Sequence, residues 1–268
     1  MICLPKHPYF AAVVIHPTAI ISSKARISQD VEVGPYCVIG DDVELGSGCV
    51  LHSQVNLQGP SRFGKDNLFH PFCVIGGPTQ DLKYQGEPTW LEVGDGNSFR
   101  EFVTVNRGTA LNEKTIIGSH NHFLAYSHVA HNCTIGSHCV FSNNATFGGH
   151  VTVGDYVTVG GLAAFHQFCR IGNYCMVGGC SKIIQDIPPY FLADGNPAQI
   201  RAINKVGLQR KDFSDEKIRI LLQAHRTLFN LKLNTSQAIA ELERELGQST
   251  EVQEILAFIK SSDRGIIR

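Results

Sequence analysis

Large apolar side chains recur at every sixth position along most of the chain. The series covers residues 15–75, resumes over residues 93–105 and continues over residues 117–183. Every position in the series holds Ile, Val, Leu or Phe. Because such residues make up only roughly a third of an ordinary chain, chance does not explain the agreement. The pattern predicts a repeating unit that buries one periodic side chain.

Glycine often follows the periodic residue, as at Gly34, Gly136 and Gly154. Six residues provide one short strand and one turn, so three units, about 18 residues, complete a triangular coil. Successive turns of this coil pair as parallel strands around an aliphatic interior, and glycine suits the sharp corners. We therefore predict a mainly β fold, a prism of parallel strands. The spacing alone leaves the hand of the coil open.

Two segments interrupt the pattern. Residues 76–92 are polar and contain prolines, which predicts an external loop, and a long loop on a rigid scaffold is often functional. The run Gln-Asp-Ile-Pro-Pro-Tyr at residues 185–190 ends the prism. We therefore predict a prism over residues 1–190 and a C-terminal α-helical domain over residues 191–268. Ser214 is the expected cap of an amphipathic helix, and two more helices should follow, so that the helices cover the open end of the prism.

Composition narrows the classes of function. The net charge is −1, from 23 basic and 24 acidic residues. A dedicated nucleic-acid binder has an excess of positive charge, which this chain lacks. No apolar run of about 18 residues occurs, so we expect no membrane span. Residues 1–8 lack the charged-then-apolar order of a signal peptide. These features predict a cytoplasmic protein without nucleic-acid partners.

Nine cysteines are present, and most of them stand four residues after a periodic apolar position. Valine occupies the same position in other units, for example at Val31, Val43 and Val151. A small apolar side chain fits this second inward position, so we interpret the thiols as packing residues rather than as a disulfide framework or a metal site. The cysteines at this position are Cys37, Cys49, Cys73, Cys133, Cys139, Cys169 and Cys175.

The chain contains 12 histidines, and many of them lie between His120 and His166. On a coil of about 18 residues per turn, His128, His131, His150 and His166 fall within about two successive turns and could line one cleft. Neutral imidazole, with an ordinary pKa of about 6.5, accepts protons at neutral pH. The cluster therefore suits acid–base chemistry, although imidazoles at corners also serve structural roles.

Four separated segments carry a resemblance to a known family. They resemble the hexapeptide-repeat acyltransferases and, more narrowly, the UDP-N-acetylglucosamine acyltransferases of lipid A biosynthesis. The C-terminal run Arg264–Arg268 also fits. The resemblance covers the chain from about residue 13 onward, which leaves the residues before it as an extension. The four segments are Gln80–Tyr84, Ser127–Gly136, Asn143–His150 and His166–Phe168.

This resemblance implies a left-handed parallel β-helix and a homotrimer with active sites between subunits. It also implies transfer of an (R)-3-hydroxyacyl chain from acyl carrier protein to the 3-position of UDP-N-acetylglucosamine, the first step of lipid A biosynthesis. No cofactor and no metal ion are expected. An alcohol that attacks a thioester needs a base for its proton, and the oxyanion that forms needs a fixed donor.

Two residues take chemical roles by resemblance, His131 as the general base and Gly149 as the backbone N–H donor to the oxyanion. Gly179 matches the position that limits the depth of the acyl-chain pocket, where a side chain would shorten the permitted chain. The other matched residues are expected to bind substrate: Asp81 and His150 the sugar, Lys83 and His128 the phosphates or the acyl donor, His166 and Gln167 the diphosphate, and Arg210 the uridine diphosphate.

Three residues depart from the pattern of some relatives. Asn132 stands where some members have Asp after the base, and an amide orients an imidazole without stabilising imidazolium by charge. Asn106 and Pro197 stand where others have His. These departures leave the acyl-chain length and the acceptor nucleophile open, so an acceptor with a 3-amino group stays an alternative.

Other functions use the same architecture. A trimeric carbonic anhydrase binds zinc with three histidines between subunits and would carry stoichiometric metal. A binding-only trimer would bind nucleotide sugar and be indifferent to loss of His131. A later N-acyltransferase of lipid A assembly usually has an added N-terminal sugar-binding domain, which finds no match before residue 13. The loop with Asp81 and Lys83, together with the segment 128–131, favours O-acyl transfer.

Overall fold

The computed structural model describes residues 15–268, so the predicted extension and the segment 1–8 lie outside the described residues. Over most of its length the chain coils into a three-sided prism. Each strand pairs in parallel with the strand one turn later, so that Ile20 lies beside Val38 and Val38 beside Asn56. One turn therefore takes about 18 residues, which confirms the predicted triangular coil.

Three sheets form the faces of the prism. The first face contains β1 (Ile20–Ile21), β4 (Val38–Ile39), β7 (Asn56–Leu57), β10 (Val74–Gly77), β13 (Thr104–Asn106), β16 (His128–Val129), β19 (Thr146–Phe147), β22 (Ala164–Phe165) and β25 (Lys182–Ile183). The second contains β2 (Arg26–Ile27), β5 (Val43–Leu45), β8 (Ser61–Phe63), β11 (Trp90–Val93), β14 (Lys114–Ile117), β17 (Thr134–Ile135), β20 (Thr152–Val153) and β23 (Arg170–Ile171). The third contains β3 (Glu32–Val33), β6 (Val50–Leu51), β9 (Leu68–Phe69), β12 (Ser98–Phe99), β15 (His122–Phe123), β18 (Val140–Phe141), β21 (Thr158–Val159), β24 (Met176–Val177), β26 (Phe191–Gly195) and β27 (Ala198–Ile203).

The periodic residues fill the interior of the prism. Phe69, Phe99, Phe123 and Phe141 are fully buried and follow one another along the axis, with successive ring centroids 4.9–5.3 Å apart. Parallel pairing in register brings equivalent positions of successive turns together, so aromatic rings lie over aromatic rings. Truncation of a buried Phe costs about 3–5 kcal/mol, so this column is a major source of stability.

The cysteines at the second inward position are free and buried, which agrees with their predicted packing role. The Cys133 thiol donates to the carbonyl of Gly148 in the neighbouring turn at 3.2 Å. Burial raises the pKa of the Cys133 thiol to about 12, so the group stays protonated at neutral pH. Cys180, which does not belong to this set, is exposed.

Glycines near the corners are required for close packing between turns. A Cβ on Gly118 would lie 2.6 Å from the carbonyl oxygen of Gly136, and a Cβ on Gly136 would lie 2.7 Å from the carbonyl of Gly154. The positive φ angles at these two corners belong to His120 at 59° and His138 at 61°. The sequence pattern therefore places these glycines correctly at the corners. The structure requires glycine there because the backbones of neighbouring turns are in close contact, not because the turn needs a positive φ angle.

Two loops leave the prism between strands. The predicted long loop covers residues 78–89, between β10 and β11, and a shorter loop covers residues 107–113, between β13 and β14. The Thr109 hydroxyl donates to the Thr79 hydroxyl oxygen at 2.9 Å and joins the two loops. The Arg107 guanidinium donates to the Gly76 carbonyl at 2.7 Å and anchors the shorter loop to the prism.

Strands β26 and β27 form a hairpin that continues the third face. Regular strands therefore extend to Ile203, beyond the predicted boundary at residue 190, and a division of the chain at that boundary stays a prediction. Ser214 caps α2 by accepting the Lys217 N–H, as predicted, and the two further predicted helices are α3 and α4. The helical segments are α1 (Lys205–Gln209), α2 (Asp215–His225), a π-helical turn (Arg226–Asn230), α3 (Thr235–Leu246) and α4 (Thr250–Lys260).

The C-terminal segment returns to the end of the prism. Ile266 forms a parallel bridge with Asp186, whose carboxylate also accepts the Ser262 hydroxyl at 2.7 Å. The Asn173 amide donates to the Glu254 carboxylate of α4 at 2.7 Å. These contacts hold the helical segments against the prism. None of the helices in residues 15–268 is long and apolar enough to cross a membrane.

Candidate active site

Several of the predicted site residues lie at the corner between the first and second faces. This histidine corner comprises residues 130–133, 148–151 and 166–169, which occupy equivalent places in three successive turns. Because parallel pairing brings positions about 18 residues apart together, side chains that are distant in sequence converge here.

Two imidazoles of the histidine corner are in contact. The rings of His131 and His150 meet edge to face with centroids 5.2 Å apart, and His150 also stacks on Phe168 at 4.6 Å. His128 lies on β16 of the first face, where its Nδ1 shares a hydrogen bond of 2.7 Å with the Thr104 hydroxyl. The stacking on Phe168 restricts the orientation of the His150 ring, and the hydrogen bond to Thr104 restricts that of the His128 ring.

Burial lowers the pKa of His128 and of His150, and the neighbouring His131 lowers both pKa values further. The carboxylates of Glu113 and Asp81 act on the pKa of His150 in the opposite direction but do not outweigh burial. Both flanking rings are therefore neutral near pH 7 and serve as hydrogen-bonding groups rather than as positive charges.

The Asn132 side chain connects His131 to the shorter loop. Its Oδ1 lies 2.9 Å from Nδ1 of His131 and accepts the Thr109 N–H at 3.1 Å. Its Nδ2 donates to Oε2 of Glu113 at 2.8 Å. The donor on Thr109 and the acceptor on Glu113 together determine which end of the amide faces His131.

This orientation determines the tautomer of His131. Since Asn132 presents its carbonyl oxygen, Nδ1 of His131 must carry the proton and donate it to Asn132. Nε2 of the neutral ring then holds the free lone pair. The side chain of His131 is only 13% exposed, so the surrounding residues keep this nitrogen directed within the site.

Asp81 lies on the Nε2 side of His131. The distance from Oδ2 of Asp81 to Nε2 is 4.0 Å, too long for a direct hydrogen bond. The long loop holds the carboxylate through the Lys83 N–H, which donates to Oδ1 at 2.9 Å, and the Thr79 hydroxyl accepts the Asp81 N–H at 3.1 Å. A gap between a carboxylate and an imidazole lone pair suits a hydroxyl group that interacts with both.

Gly149 lies directly against the His131 ring. A Cβ at this position would lie 2.5 Å from Cε1 and Nε2 of His131, so a side chain here would displace the imidazole from its present position. Among residues 15–268, no acceptor takes the buried Gly149 N–H, whereas the adjacent His150 N–H donates to the His131 carbonyl at 3.0 Å. The site therefore contains an uncommitted backbone donor beside the free imidazole nitrogen.

The other predicted site residues lie farther along the histidine corner or outside it. Within the described part of the chain, no hydrogen bond or ring contact joins their side chains to His131. The exposed His166 has its Nδ1 3.4 Å from the Arg264 guanidinium. The remaining ones are Lys83 and Gln167, both exposed, Arg210, exposed at the end of α1, and Gly179, exposed at the corner between the third and first faces.

Of the three departures from the family pattern, only Asn132 contacts His131. Asn106 is 7% exposed and donates to the Pro78 carbonyl at 3.0 Å, so it holds the start of the long loop. Pro197 lies in the turn between β26 and β27.

Sequence reasoning missed the contributions of Thr79, Thr109 and Glu113. The six-residue series carries no signal for them, because Leu111 fills the periodic position between Val105 and Ile117. Only the structure shows that Leu111 is 62% exposed and belongs to the shorter loop that reaches Asn132.

Family models match three parts of the chain. A model described as bacterial transferase hexapeptide (six repeats) matches residues 24–59 and 114–149. A model described as UDP N-acetylglucosamine O-acyltransferase, domain 2, matches residues 186–267.

Full-length relatives and solved structures are also similar. The acyl-[acyl-carrier-protein]--UDP-N-acetylglucosamine O-acyltransferase of Thermodesulfovibrio yellowstonii is 46% identical over 255 residues, which is 95% of this chain and 99% of the relative. The protein of the same name from Akkermansia muciniphila is 49% identical over 253 residues, 94% of this chain and 98% of the relative. The crystal structure of a UDP-N-acetylglucosamine acyltransferase from Bacteroides fragilis matches with a TM-score of 0.93 at 39% identity and covers 95% of this chain and 100% of that chain.

The fold and the site define a hexapeptide-repeat acyltransferase built on a left-handed parallel β-helix, as the sequence resemblance implied. Sequence identities of 46% and 49% over nearly the whole length identify one family within this class. The chain belongs to the acyl-[acyl-carrier-protein]--UDP-N-acetylglucosamine O-acyltransferase family.

We expect both His128 and His150 to titrate below their ordinary pKa of 6.5, because burial disfavours the charged ring. A pKa depressed in the folded state gives a contribution to the free energy of unfolding that is complete above about pH 6.5 and is lost as the pH falls toward the folded pKa. NMR titration of the imidazole Cε1–H signals, assigned with His128→Gln and His150→Gln, measures both values. A midpoint above 6.5 for either ring would contradict the dominance of burial.

Proposed function

We propose that this protein transfers an (R)-3-hydroxyacyl group from acyl carrier protein to the 3-hydroxyl of UDP-N-acetylglucosamine, the first step of lipid A biosynthesis. Membership in the family supports the reaction, and the names of the relatives supply both substrates. The observation that carries the chemical roles is the free Nε2 of His131, 4.0 Å from Asp81 and beside the uncommitted Gly149 N–H.

In this mechanism, neutral His131 is the general base. Nε2 accepts the proton of the sugar hydroxyl while the hydroxyl oxygen forms a bond to the thioester carbonyl carbon. The Gly149 N–H stabilises the oxyanion of the tetrahedral intermediate. When the carbon–sulfur bond breaks, the imidazolium returns its proton to the departing thiolate. The products are the acylated sugar and a free thiol, and no metal or cofactor takes part.

The substrate-binding assignments in this proposal are those that the resemblance implies. Asp81 is suited to orient the sugar because its carboxylate faces Nε2 of the base. His150, neutral and in contact with His131, can donate or accept a hydrogen bond to the sugar. The groups assigned to phosphates and diphosphate need access to solvent, which suits the exposed side chains. These are Lys83, His166, Gln167 and Arg210, together with the more buried His128.

We include a homotrimer in the proposal. Phe72, Phe102 and Tyr126 stack along the corner between the third and first faces with centroids 4.8–5.0 Å apart, yet they are 44%, 42% and 54% exposed. An exposed stack of rings is typical of a surface that another chain covers. Gly179 lies at this same corner and His131 at the next one. In the proposed trimer the acyl pocket lies between two chains and uses one corner from each.

The cytoplasmic location expected from the sequence is part of the proposal. The expected absence of a metal ion is also part of it. A zinc enzyme built on the same prism would contain stoichiometric metal, and metal analysis of the purified protein separates the two possibilities.

His131→Ala should lower kcat by about 10²- to 10⁴-fold without unfolding the prism, because the variant loses the base but keeps the oxyanion donor. The assay is transfer from a panel of 3-hydroxyacyl carrier proteins to UDP-N-acetylglucosamine and to its 3-amino analogue. His122→Ala, on the exposed side of β15, is the matched control and should retain full turnover. Near-normal turnover of His131→Ala would overturn the assignment of the base, and no product from the unaltered protein would favour a binding-only or zinc function.

Phe102→Asp should weaken or abolish the trimer, since it buries a carboxylate in the proposed contact. Sedimentation equilibrium of the unaltered protein should give three times the chain mass of 29.4 kDa, and the variant should shift toward that single mass. Leu222→Asp, at an exposed position of α2, controls for a general effect of surface charge. A monomeric unaltered protein at assay concentration would contradict the proposal.

Gly179→Met should shift the preference toward shorter acyl chains. A Cβ at Gly179 would lie 3.3 Å from the Gly161 carbonyl oxygen, so a side chain fits after a small adjustment and must then project from the exposed corner. The measurement is kcat/KM across acyl carrier proteins with chains of increasing length. An unchanged profile would reject Gly179 as the residue that limits the pocket.

A further inference from the structure

We infer that Glu113 is a positioning residue for His131, and that its carboxylate, acting through the Asn132 amide, holds the imidazole in its Nδ1-protonated form and stabilises the positive charge that forms during transfer. This inference rests on the proposed role of His131 as the base. It concerns the shorter loop, residues 107–113, to which the sequence assigned no function.

A continuous chain of hydrogen bonds supports the inference. Oε2 of Glu113 accepts the Asn132 Nδ2–H at 2.8 Å, and Oδ1 of Asn132 accepts the His131 Nδ1–H at 2.9 Å. The Glu113 carboxylate also accepts the Ala110 N–H at 2.9 Å. The Ala110 N–H and then the Asn132 amide lower the pKa of Glu113, so the carboxylate is ionised at neutral pH.

Glu113 is required to orient the amide correctly. If Asn132 were rotated by half a turn, its Oδ1 would face the carboxylate and its NH₂ would face the Thr109 N–H. One contact would then join two acceptors and the other would join two donors, so neither would form a hydrogen bond. A partly buried polar group without a partner costs about 1–3 kcal/mol. The carboxylate and the Thr109 N–H therefore favour one orientation, and that orientation presents an acceptor to Nδ1 of His131.

Glu113 also supplies the charge that Asn132 lacks. An amide cannot stabilise imidazolium by charge, but a carboxylate hydrogen-bonded to the other end of that amide can do so at longer range. The other groups that face His131 do not replace it. Asp81 lies on the Nε2 side, where the acceptor sugar would engage it, and His128 and His150 are neutral.

The backbone holds Glu113 where this role requires it. The residue directly precedes β14, and its carbonyl accepts the Trp90 N–H at 3.0 Å. The Asn132 N–H donates to the Thr115 hydroxyl of β14 at 2.9 Å, so the same strand anchors both ends of the contact. The positions of Glu113 and Asn132 are therefore coupled through regular structure.

Glu113→Gln removes the charge and preserves the shape. The Gln carbonyl oxygen can still accept the Asn132 and Ala110 N–H groups, so the loop should keep its conformation. We expect kcat to fall about 10-fold, as for loss of a partner behind a functional histidine, with KM for UDP-N-acetylglucosamine unchanged. Without the carboxylate the protonated form of the base loses a stabilising charge, so the acidic limb of the kcat/KM profile should move to lower pH.

Glu87→Gln is the matched control. Glu87 lies in the long loop and accepts the Gln85 N–H at 2.8 Å, so its carboxylate also supports a loop but has no contact with Asn132. This variant loses the same charge and should retain the rate and the pH profile of the unaltered protein. An equal shift in both variants would mean that the net charge of the protein, rather than the link to His131, moves the profile.

A double variant tests the inference independently of loop stability. Glu113→Gln combined with Asn132→Asp returns a carboxylate to the Nδ1 side of His131, so the rate should recover and the acidic limb should move back to higher pH. No recovery in a folded double variant, or an unaltered pH profile in Glu113→Gln, would overturn the inference. If His131→Ala kept its activity, the proposed role of His131 as the base would be wrong. If His131→Ala lost its activity but Glu113→Gln behaved like the unaltered protein, only the role of Glu113 would be rejected.

Discussion

Parallel pairing of each strand with the strand one turn later is the constraint on which the rest of the structure depends. It makes positions about 18 residues apart into direct neighbours, so each row of the prism must contain side chains that pack against their own equivalents. The column from Phe69 to Phe141 satisfies this constraint with stacked rings, and Gly118 and Gly136 satisfy it with close backbone contact. The same pairing brings Gly149 against His131, so the site is a consequence of the repeat.

The two ring nitrogens of His131 have different surroundings. A regular repeat does not produce this difference by itself, because equivalent positions in successive turns have similar neighbours. The two loops introduce the difference. The long loop brings Asp81 to the Nε2 side of His131, and the shorter loop brings Glu113 to the Nδ1 side through Asn132. The hydrogen bond between Thr79 and Thr109 joins the loops, so the arrangement of one affects the other.

The sequence predicted the prism, the packing cysteines and the capped helix α2, because each depends on a local pattern or on a short period. It did not predict that strands continue to Ile203, since the hairpin of β26 and β27 pairs with the prism without following the six-residue series. Periodicity also could not locate Asp81, which came from resemblance. Glu113 was missed for a related reason: a loop without a period acquires its partners through tertiary packing, and nothing near Glu113 in sequence indicates Asn132.

A carboxylate near the base stabilises the protonated imidazole both before the substrate binds and during the reaction. The distance between the carboxylate and the ring determines how strong this stabilisation is in each state. A carboxylate bonded directly to Nδ1 would strongly raise the pKa of the imidazole and increase the fraction that is already protonated before the substrate binds. With Asn132 between Glu113 and His131, the charge is weaker at the ring, and the Asn132 carbonyl still specifies the tautomer. The buried and neutral His128 and His150 add no positive charge that would suppress proton transfer to His131. An amide beside the base therefore favours a ring that is neutral at rest, while the carboxylate behind it stabilises the ring once it has accepted the proton.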